Sequence, residues 1–466
     1  MSSKAVNSTL GEEKIGKLIL KYSVPAIIGQ IVNMLYSVVD RIYIGNIPGV
    51  GGLAITGVGI TMPITMIITG LGMLVGIGAA ANISLAFGKG EPDRAKKILA
   101  NGIVGTAIIS ILTAILGNLF APQIMQLFGA TDVTMPFALT YLRPILFGTI
   151  FNLTAFGLNG CISSDGNPKR GMMTMVIGAA INIILDPIFI FGLDMGIAGA
   201  AYATVISQMA ASGWLLFYFF RSKKANIKLK LADLGLDWSI MKNILSIGSA
   251  PFLMQFSSSI VQLLSNNALL TYGGDLAIGA MAVITSICSI FIMPIIGLTH
   301  GCQPIMGYNF GAKKYARVRQ TYSRVLMIVT AVLLLGYAGI MLIPNLLVRC
   351  FSPDAALSQI AVDGMRIYLF MLPLIGIQMV STTYFQSVGK PVFAMIIGLT
   401  RQVIFLVPAF IILPKIYGLR GVWYAGPVAD LLAVSLSAIL IVREFKKIHR
   451  LEDSEDNNER KAEEYA

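Results

Sequence analysis

The segment NIILDPIFIF (Asn182–Phe191) places an acid and a proline inside a run of apolar residues that is long enough to cross a membrane. Similar runs recur along a chain that is 56% hydrophobic and only 12% charged, whereas soluble domains carry about 25% charged residues. The sequence therefore predicts an all-α polytopic membrane protein with about twelve transmembrane helices. We place the predicted spans near residues 22–44, 53–80, 98–120, 136–160, 172–191, 197–220, 245–270, 277–305, 325–347, 364–386, 393–413 and 420–442.

The basic residues predict the orientation of these helices. Most of the 35 Lys and Arg residues fall in segments on the side of the amino terminus, and only Arg349, Lys415 and Arg420 fall between spans on the other side. By the positive-inside rule, we expect a multi-pass protein of the cell membrane with both termini in the cytoplasm. Because topology accounts for the net charge of +12, we expect the lipid bilayer, and no nucleic acid, as a partner.

An internal repeat divides the chain into two halves. LAFGKGEPDRA (residues 85–95) matches YNFGAKKYARV (308–318), GNPK (166–169) matches GKPV (389–392), and GIAGAAYA (196–203) matches GLRGVWYA (418–425), at offsets of 223, 223 and 222. Each half holds an even number of spans, so both insert in the same orientation, as two parallel six-helix repeats. We predict an N-terminal lobe at 1–220, a cytoplasmic linker at 221–243, a C-terminal lobe at 244–445 and a disordered cytoplasmic tail at 446–466.

Polar side chains form a stripe on the first span of each predicted lobe. The stripes have helical spacing, and their members are Gln30, Asn33 and Ser37 in the first span and Gln255, Ser259, Gln262 and Asn266 in the seventh. We interpret them as the lining of a substrate cavity between the lobes; the alternative is that they form hydrogen bonds between packed helices. A duplicated membrane protein of this kind could also be a channel or a scaffold.

Two acids inside spans predict a coupling site. Asp40 and Asp186 are costly in a bilayer, and their depths place both in one layer together with Thr204. Asn182 lies four residues before Asp186 on the same helical face, and Pro187 frees a backbone carbonyl one turn earlier. Two neighbouring carboxylates in a low dielectric require a proton or a metal cation, although a purely structural Asp pair is the alternative.

Other chemistry is less consistent with these residues. An intramembrane aspartyl protease could use Asp40 and Asp186, but the Gly-x-Gly-Asp pattern is missing, and no phosphate-binding loop predicts ATP hydrolysis. We therefore expect no enzyme activity and no cofactor beyond a coupling ion, Na⁺ or H⁺.

In the second half, Asn266 and Val407 stand near the positions that correspond to the two acids, and Asp430 is a possible second protonatable acid.

The segments YSVPAIIGQIVNMLYSVVDRIYIG, GLNGCISSDGNPKRG and INIILDPIFIFGLDMGIAGAA resemble the bacterial multidrug branch of the multidrug and toxic compound extrusion (MATE) family. The resemblance covers residues 10–445 and implies a monomeric antiporter that exports cationic and amphipathic small molecules in exchange for Na⁺ or H⁺. It also implies that Asp40, Asn182, Asp186 and Thr204 form the cation network, with Tyr36 and Tyr141 as neighbours, and that the first helix bends at Pro25. A lipid or lipid-linked oligosaccharide flippase of the same superfamily is the alternative.

Overall fold

The structure is a computed structural model that describes residues 9–349 and 355–464, with the side chains of all of these except residues 275, 355 and 451–464. The described residues form helices joined by short loops, without a strand. Ten helices are long and apolar enough to cross a membrane, and two bent helix pairs bring the number of spans to as many as twelve. The predicted all-α architecture is confirmed.

The first half contains six spans, which we number in chain order. They are α1 (Ile15–Gly45), α2 (Gly51–Gly88), α3 (Pro92–Leu119), α4 (Met135–Phe147 and Thr149–Ser164), α5 (Pro168–Gly192) and α6 (Gly196–Arg221). The two parts of α4 meet at an angle of 58°. A short helix, Ala121–Leu127, follows α3.

The second half repeats this arrangement. Its spans are α7 (Trp238–Gly274), α8 (Leu276–Gly311), α9 (Tyr315–Leu342), α10 (Ala356–Tyr368 and Leu372–Ser387), α11 (Pro391–Tyr417) and α12 (Leu419–Glu464, spanning as far as Arg450). The two parts of α10 meet at 56°, so the fourth span is bent in both halves. Gly274 separates α7 from α8 with a φ of 67°, and a short helix, Pro344–Arg349, follows α9.

Irregular helical turns occur in the fifth span of each half, at different positions along the span. In α5, a π-helical turn at Ile188–Gly192 begins directly after Pro187, because proline removes one backbone donor from the helical ladder. In α11, a π-helical segment at Thr400–Leu406 ends just before Pro408. Pro25 lies inside α1, which continues through it as one helix, so the bend at Pro25 stays a prediction.

The two halves touch through the ends of α2 and α8. A Cβ added to Gly88 would lie 2.1 Å from the carbonyl oxygen of Tyr308, and one added to Gly311 would lie 2.4 Å from that of Leu85. Only glycine permits this backbone contact. The contact explains why this glycine recurs in both copies of the repeat.

The segment between the halves is held against the N-terminal half by a buried acid. Asp165 accepts hydrogen bonds from the backbone N–H groups of Asn226 (2.9 Å) and Ile227 (2.8 Å), and from the hydroxyl of Tyr218 (2.5 Å). Burial raises the pKa of Asp165 to about 7. Sequence reasoning missed this attachment, because backbone donors leave no residue pattern.

The predicted domain boundaries can be compared with the helix bounds only in part. The segment after α6 contains a single 3₁₀ turn, Leu231–Asp233, and α7 begins at Trp238, within the predicted linker. The backbone of α12 is helical as far as Glu464, into the region of 446–466 for which the sequence predicts disorder. Residues 465–466 lie outside the described part. The division into domains stays a prediction.

Candidate functional site

The acids of α1 and α5 meet in one pocket of the first half. Asp40 is 7% exposed and Asp186 is fully buried, and their carboxyl groups lie close enough to interact directly. Asn182 donates from Nδ2 to Asp186 Oδ1 at 3.1 Å and to Thr204 Oγ1 at 3.4 Å. The structure thus brings together all four residues that the sequence predicts as the cation network. We call this group the acid pocket.

Two tyrosines complete the acid pocket. Tyr36 and Tyr141 both interact electrostatically with Asp40 and Asp186, and Tyr141 also lies beside the hydroxyl of Thr204. Tyr36 stands one helical turn before Asp40 on α1, so the two share a face. Both residues were expected to be neighbours of the acids, and the structure places them there.

Several oxygens of the acid pocket are buried without a hydrogen bond. Within the described part of the chain, no group donates to Asp40 Oδ1, Asp186 Oδ2 or Asn182 Oδ1. Buried acceptors of this kind are costly when they have no partner. A proton on one carboxyl would provide a donor, and a small hard cation would be coordinated by several of these oxygens at once. The donor set therefore fits either H⁺ or Na⁺.

A cavity of about 120 Å³ is lined in part by α1, the helix that carries Asp40, and we call it the first cavity. It is lined by apolar and polar side chains of α1, α2, α4, α5 and α8, and its polar members are Gln30, Thr69, Asn159, Ser163, Ser164, His300 and Gln303. Asn159 Oδ1 and Gln303 Nε2 are buried and find no hydrogen-bond partner among the described residues. The lining therefore offers both an acceptor and a donor to a bound molecule.

A smaller cavity of about 20 Å³, the second cavity, adjoins the first. Both are lined by Phe156 and Met175, and the polar lining of the second is Asn33, Tyr36, Thr174, Ser207 and Gln208. None of the described residues that line the two cavities is Lys, Arg, Asp or Glu. Tyr36 borders both the second cavity and the acid pocket, so α1 links the two sites.

Comparison with known proteins identifies the family. The MatE family model matches residues 25–188 and 251–411. The chain belongs to the MATE family. It is 28% identical over 427 residues to the multidrug export protein MepA of Staphylococcus aureus (strain NCTC 8325 / PS 47), covering 91% of this chain and 93% of that protein.

Solved structures agree with this assignment. The MATE multidrug transporter DinF-BH, whose structure was solved as a complex, is 38% identical and superimposes with a TM-score of 0.86, covering 94% of this chain and 96% of that chain. A MATE protein in the bent conformation is 25% identical and superimposes with a TM-score of 0.89. The match covers 97% of this chain and 99% of that chain. This MATE protein is therefore a multi-pass membrane transporter and not an enzyme.

Part of the polar stripe in the second half of this MATE protein contacts α2. Ser259 contacts Met66 Sδ of α2 at 3.9 Å, and the side chain of Gln255 packs against Gly70 of the same helix. Gln262 is exposed and donates to Asn266 Oδ1 at 3.2 Å. The assignment of Gln255, Ser259, Gln262 and Asn266 to the lining of a substrate cavity between the lobes stays a prediction.

Only two of the three predicted residues in the first stripe line one of these two cavities. Gln30 lines the first cavity and Asn33 lines the second. Ser37 instead donates to the backbone oxygen of Asn33 at 3.0 Å, one turn earlier on its own helix. Hydroxyls commonly make this bond within a helix. The assignment of Ser37 to the substrate cavity stays a prediction.

Asp430 has a partner that the sequence did not reveal. Arg401 of α11 donates from Nε to Asp430 Oδ1 of α12 at 2.6 Å, and the Asp430 side chain is only 3% exposed. The two residues are 29 positions apart, and no helical spacing connects them. Asp430 therefore forms a buried ion pair in this MATE protein; a role as a second protonatable acid stays a prediction.

Sequence reasoning also missed polar residues of the cavities. Gln208 stands four residues after Thr204 and so shares its face of α6, which was a usable signal. Asn159, His300 and Gln303 gave no such signal, because α4 and α8 carry no acid from which to count.

Proposed function

We propose that this MATE protein is a cation-coupled multidrug antiporter that exports amphipathic and cationic organic molecules. The acid pocket carries the proposal: two buried carboxyl groups interact directly, and three of its oxygens receive no hydrogen bond from the described residues. The names of the relatives MepA and DinF-BH support multidrug compounds as the substrates.

The first helix supplies the physical link between ion and substrate. One face of α1 contributes Asp40 to the acid pocket, Tyr36 to the pocket and the second cavity, and Gln30 to the first cavity. Binding of H⁺ or Na⁺ favours a closer approach of Asp40 to Asp186, because the added positive charge removes their repulsion. Movement of α1 toward α5 changes the shape of the cavities that α1 lines, and a bound substrate is then released.

The cavity lining supports the substrate class. Methionines and Phe156 offer pliable apolar surface to flat aromatic molecules, and the amides of Gln30, Asn159 and Gln303 offer hydrogen bonds. The flippase alternative is not favoured, since a pyrophosphate group needs basic side chains, and the described cavity lining includes neither Lys nor Arg.

The distribution of basic residues supports the sidedness. With both termini in the cytoplasm, the contact between Gly88 and Gly311 closes the cytoplasmic side, and the coupling ion enters from outside. One chain carries the acid pocket and both cavities, so we propose that the monomer transports.

Purified protein in proteoliposomes tests this proposal. Export of a fluorescent cation is measured under a pH gradient alone and under a Na⁺ gradient alone, with Asp186→Asn as the matched inactive variant. We expect one or both gradients to drive export by wild type and neither to drive export by the variant. Equal rates with and without gradients would refute coupling.

A further inference from the structure

The internal repeat pairs each residue of the second cavity with a residue of the second half. The offset of 223 that aligns GNPK with GKPV places Gly178 of α5 opposite Arg401 of α11 in the alignment. The offset of 222 that aligns GIAGAAYA with GLRGVWYA places Gln208 of α6 opposite Asp430 of α12. Gly178 and Gln208 both line the second cavity.

The second half shows this site in a filled form. The guanidinium of Arg401 reaches across from α11 and donates to Asp430 at 2.6 Å. Tyr368 and Cys288 also interact with both charges of the pair. A protein cation thus occupies the space between the fifth and sixth spans of this half, held by an acceptor on the sixth.

The first half shows the same site without its own cation. Gly178 has no side chain, and the atoms nearest to an added Cβ are Ala211 Cβ at 3.5 Å and Ser207 O at 3.8 Å. Gln208 is 7% exposed, and within the described residues its Oε1 accepts no hydrogen bond. An acceptor therefore stands buried beside a cavity, at the position where the other half pairs Asp430 with a guanidinium.

We propose that the second cavity is the subsite for a nitrogen donor group of the exported cation, such as an amine or amidine N–H, and that Gln208 Oε1 accepts its hydrogen bond. The subsite rests on the proposed export function and makes it more specific. Arg401 is the protein's own equivalent of this group, so the corresponding space in the second half is already filled.

Access to the subsite runs from the first cavity. Phe156 and Met175 line both cavities. The Met175 sulfur packs on α1, where a Cβ added to Gly29 would lie 2.5 Å from it. A volume of about 20 Å³ holds one water, so a donor group enters when the flexible Met175 side chain turns aside. An aromatic body then stays in the first cavity.

Equilibrium binding to purified, detergent-solubilised protein tests the subsite with two probes of equal charge. Ethidium carries amine N–H donors, and tetraphenylphosphonium carries none. Gln208→Leu removes the acceptor while keeping a similar volume. We expect its Kd for ethidium to rise at least about fivefold, as for loss of one buried hydrogen bond, and its Kd for tetraphenylphosphonium to stay within about twofold of wild type.

A second variant rebuilds the filled site in the first half. Gly178→Arg with Gln208→Asp places the residues of the second half between α5 and α6, and we expect it to lose ethidium binding at concentrations that saturate wild type. The matched control, Arg401→Gly with Asp430→Gln, makes the reverse exchange in the second half. It should bind both probes as wild type does. Thermal unfolding of each variant shows that it is folded.

The outcomes separate this inference from the export proposal. Unchanged ethidium binding in Gln208→Leu, or equal weakening of both probes, overturns the subsite, even if the double variant does not fold. Wild-type protein that binds ethidium selectively through Gln208 but shows no gradient-driven export supports the subsite and refutes the coupling.

Discussion

The ion pair between Arg401 and Asp430 allows a quantitative test of how the second half is held together. Arg401→Leu removes the guanidinium and leaves the Asp430 carboxylate, which is 3% exposed and loses its 2.6 Å hydrogen bond. Asp430→Leu leaves the Arg401 side chain, 24% exposed, in the same position without its acid. The double variant Arg401→Leu/Asp430→Leu removes both charges and fills the space with apolar groups.

The expected magnitudes follow from the burial of the pair. Removing one partner of a buried ion pair costs about 3–5 kcal/mol, because the remaining charge is buried without compensation, whereas replacing both partners by apolar residues is often neutral or stabilising. We therefore expect each single variant to lose about 3–5 kcal/mol of unfolding free energy. The double variant should lie within about 1 kcal/mol of wild type or above it.

Unfolding in mixed micelles of detergent and SDS, followed by tryptophan fluorescence, measures these free energies for all four proteins. Ethidium binding serves as a control for the first half, which the double variant should leave intact. Single variants as stable as wild type, or a double variant whose loss equals the sum of the two single losses, would refute the reasoning, since the charges would then not depend on each other.

The other predictions concern the first half. Asp40→Asn and Asp186→Asn should each abolish gradient-driven export in proteoliposomes while the solubilised protein still binds a fluorescent cation; active export by both variants would exclude the acid pocket from coupling. Burial raises the pKa of Asp165 to about 7, so the folded state holds the proton more tightly than the unfolded state, and the contribution of this group falls as pH rises from about 4 to about 7. Wild-type thermal stability should therefore decrease between pH 5 and pH 8 relative to Asp165→Asn, which cannot titrate, and parallel curves would contradict this. Gly76→Ala would put a Cβ 1.6 Å from a backbone oxygen of α4 and should lower stability by about 1–3 kcal/mol or more. Gly59→Ala, where the described residues leave open space around the added Cβ, should be no less stable than wild type in the same unfolding assay.

Helical periodicity and depth in the membrane are enough to predict which residues form the acid pocket. Asn182 and Asp186 are four residues apart, and this spacing alone places them on one face of α5. The depths of Asp40, Asp186 and Thr204 in the membrane, counted from the ends of their spans, are enough to predict that the three residues lie at the same level. Counting along a regular helix is accurate, because the rise per residue is fixed. The four predicted residues therefore lie together in the structure.

The partner of Asp430 and the surroundings of the second stripe could not be predicted in this way. Arg401 faces Asp430, and Gln255 faces Gly70, only because particular helices pack at particular angles. Helix packing in a membrane depends on small residues and close backbone contacts, and one sequence does not reveal which of many glycines takes part. The sequence by itself determined the spans, the repeat and the face of each helix, because these follow from hydrophobicity and the geometry of a single helix. Only the tertiary structure decided which faces meet, since that choice depends on backbone contacts between residues far apart in the chain.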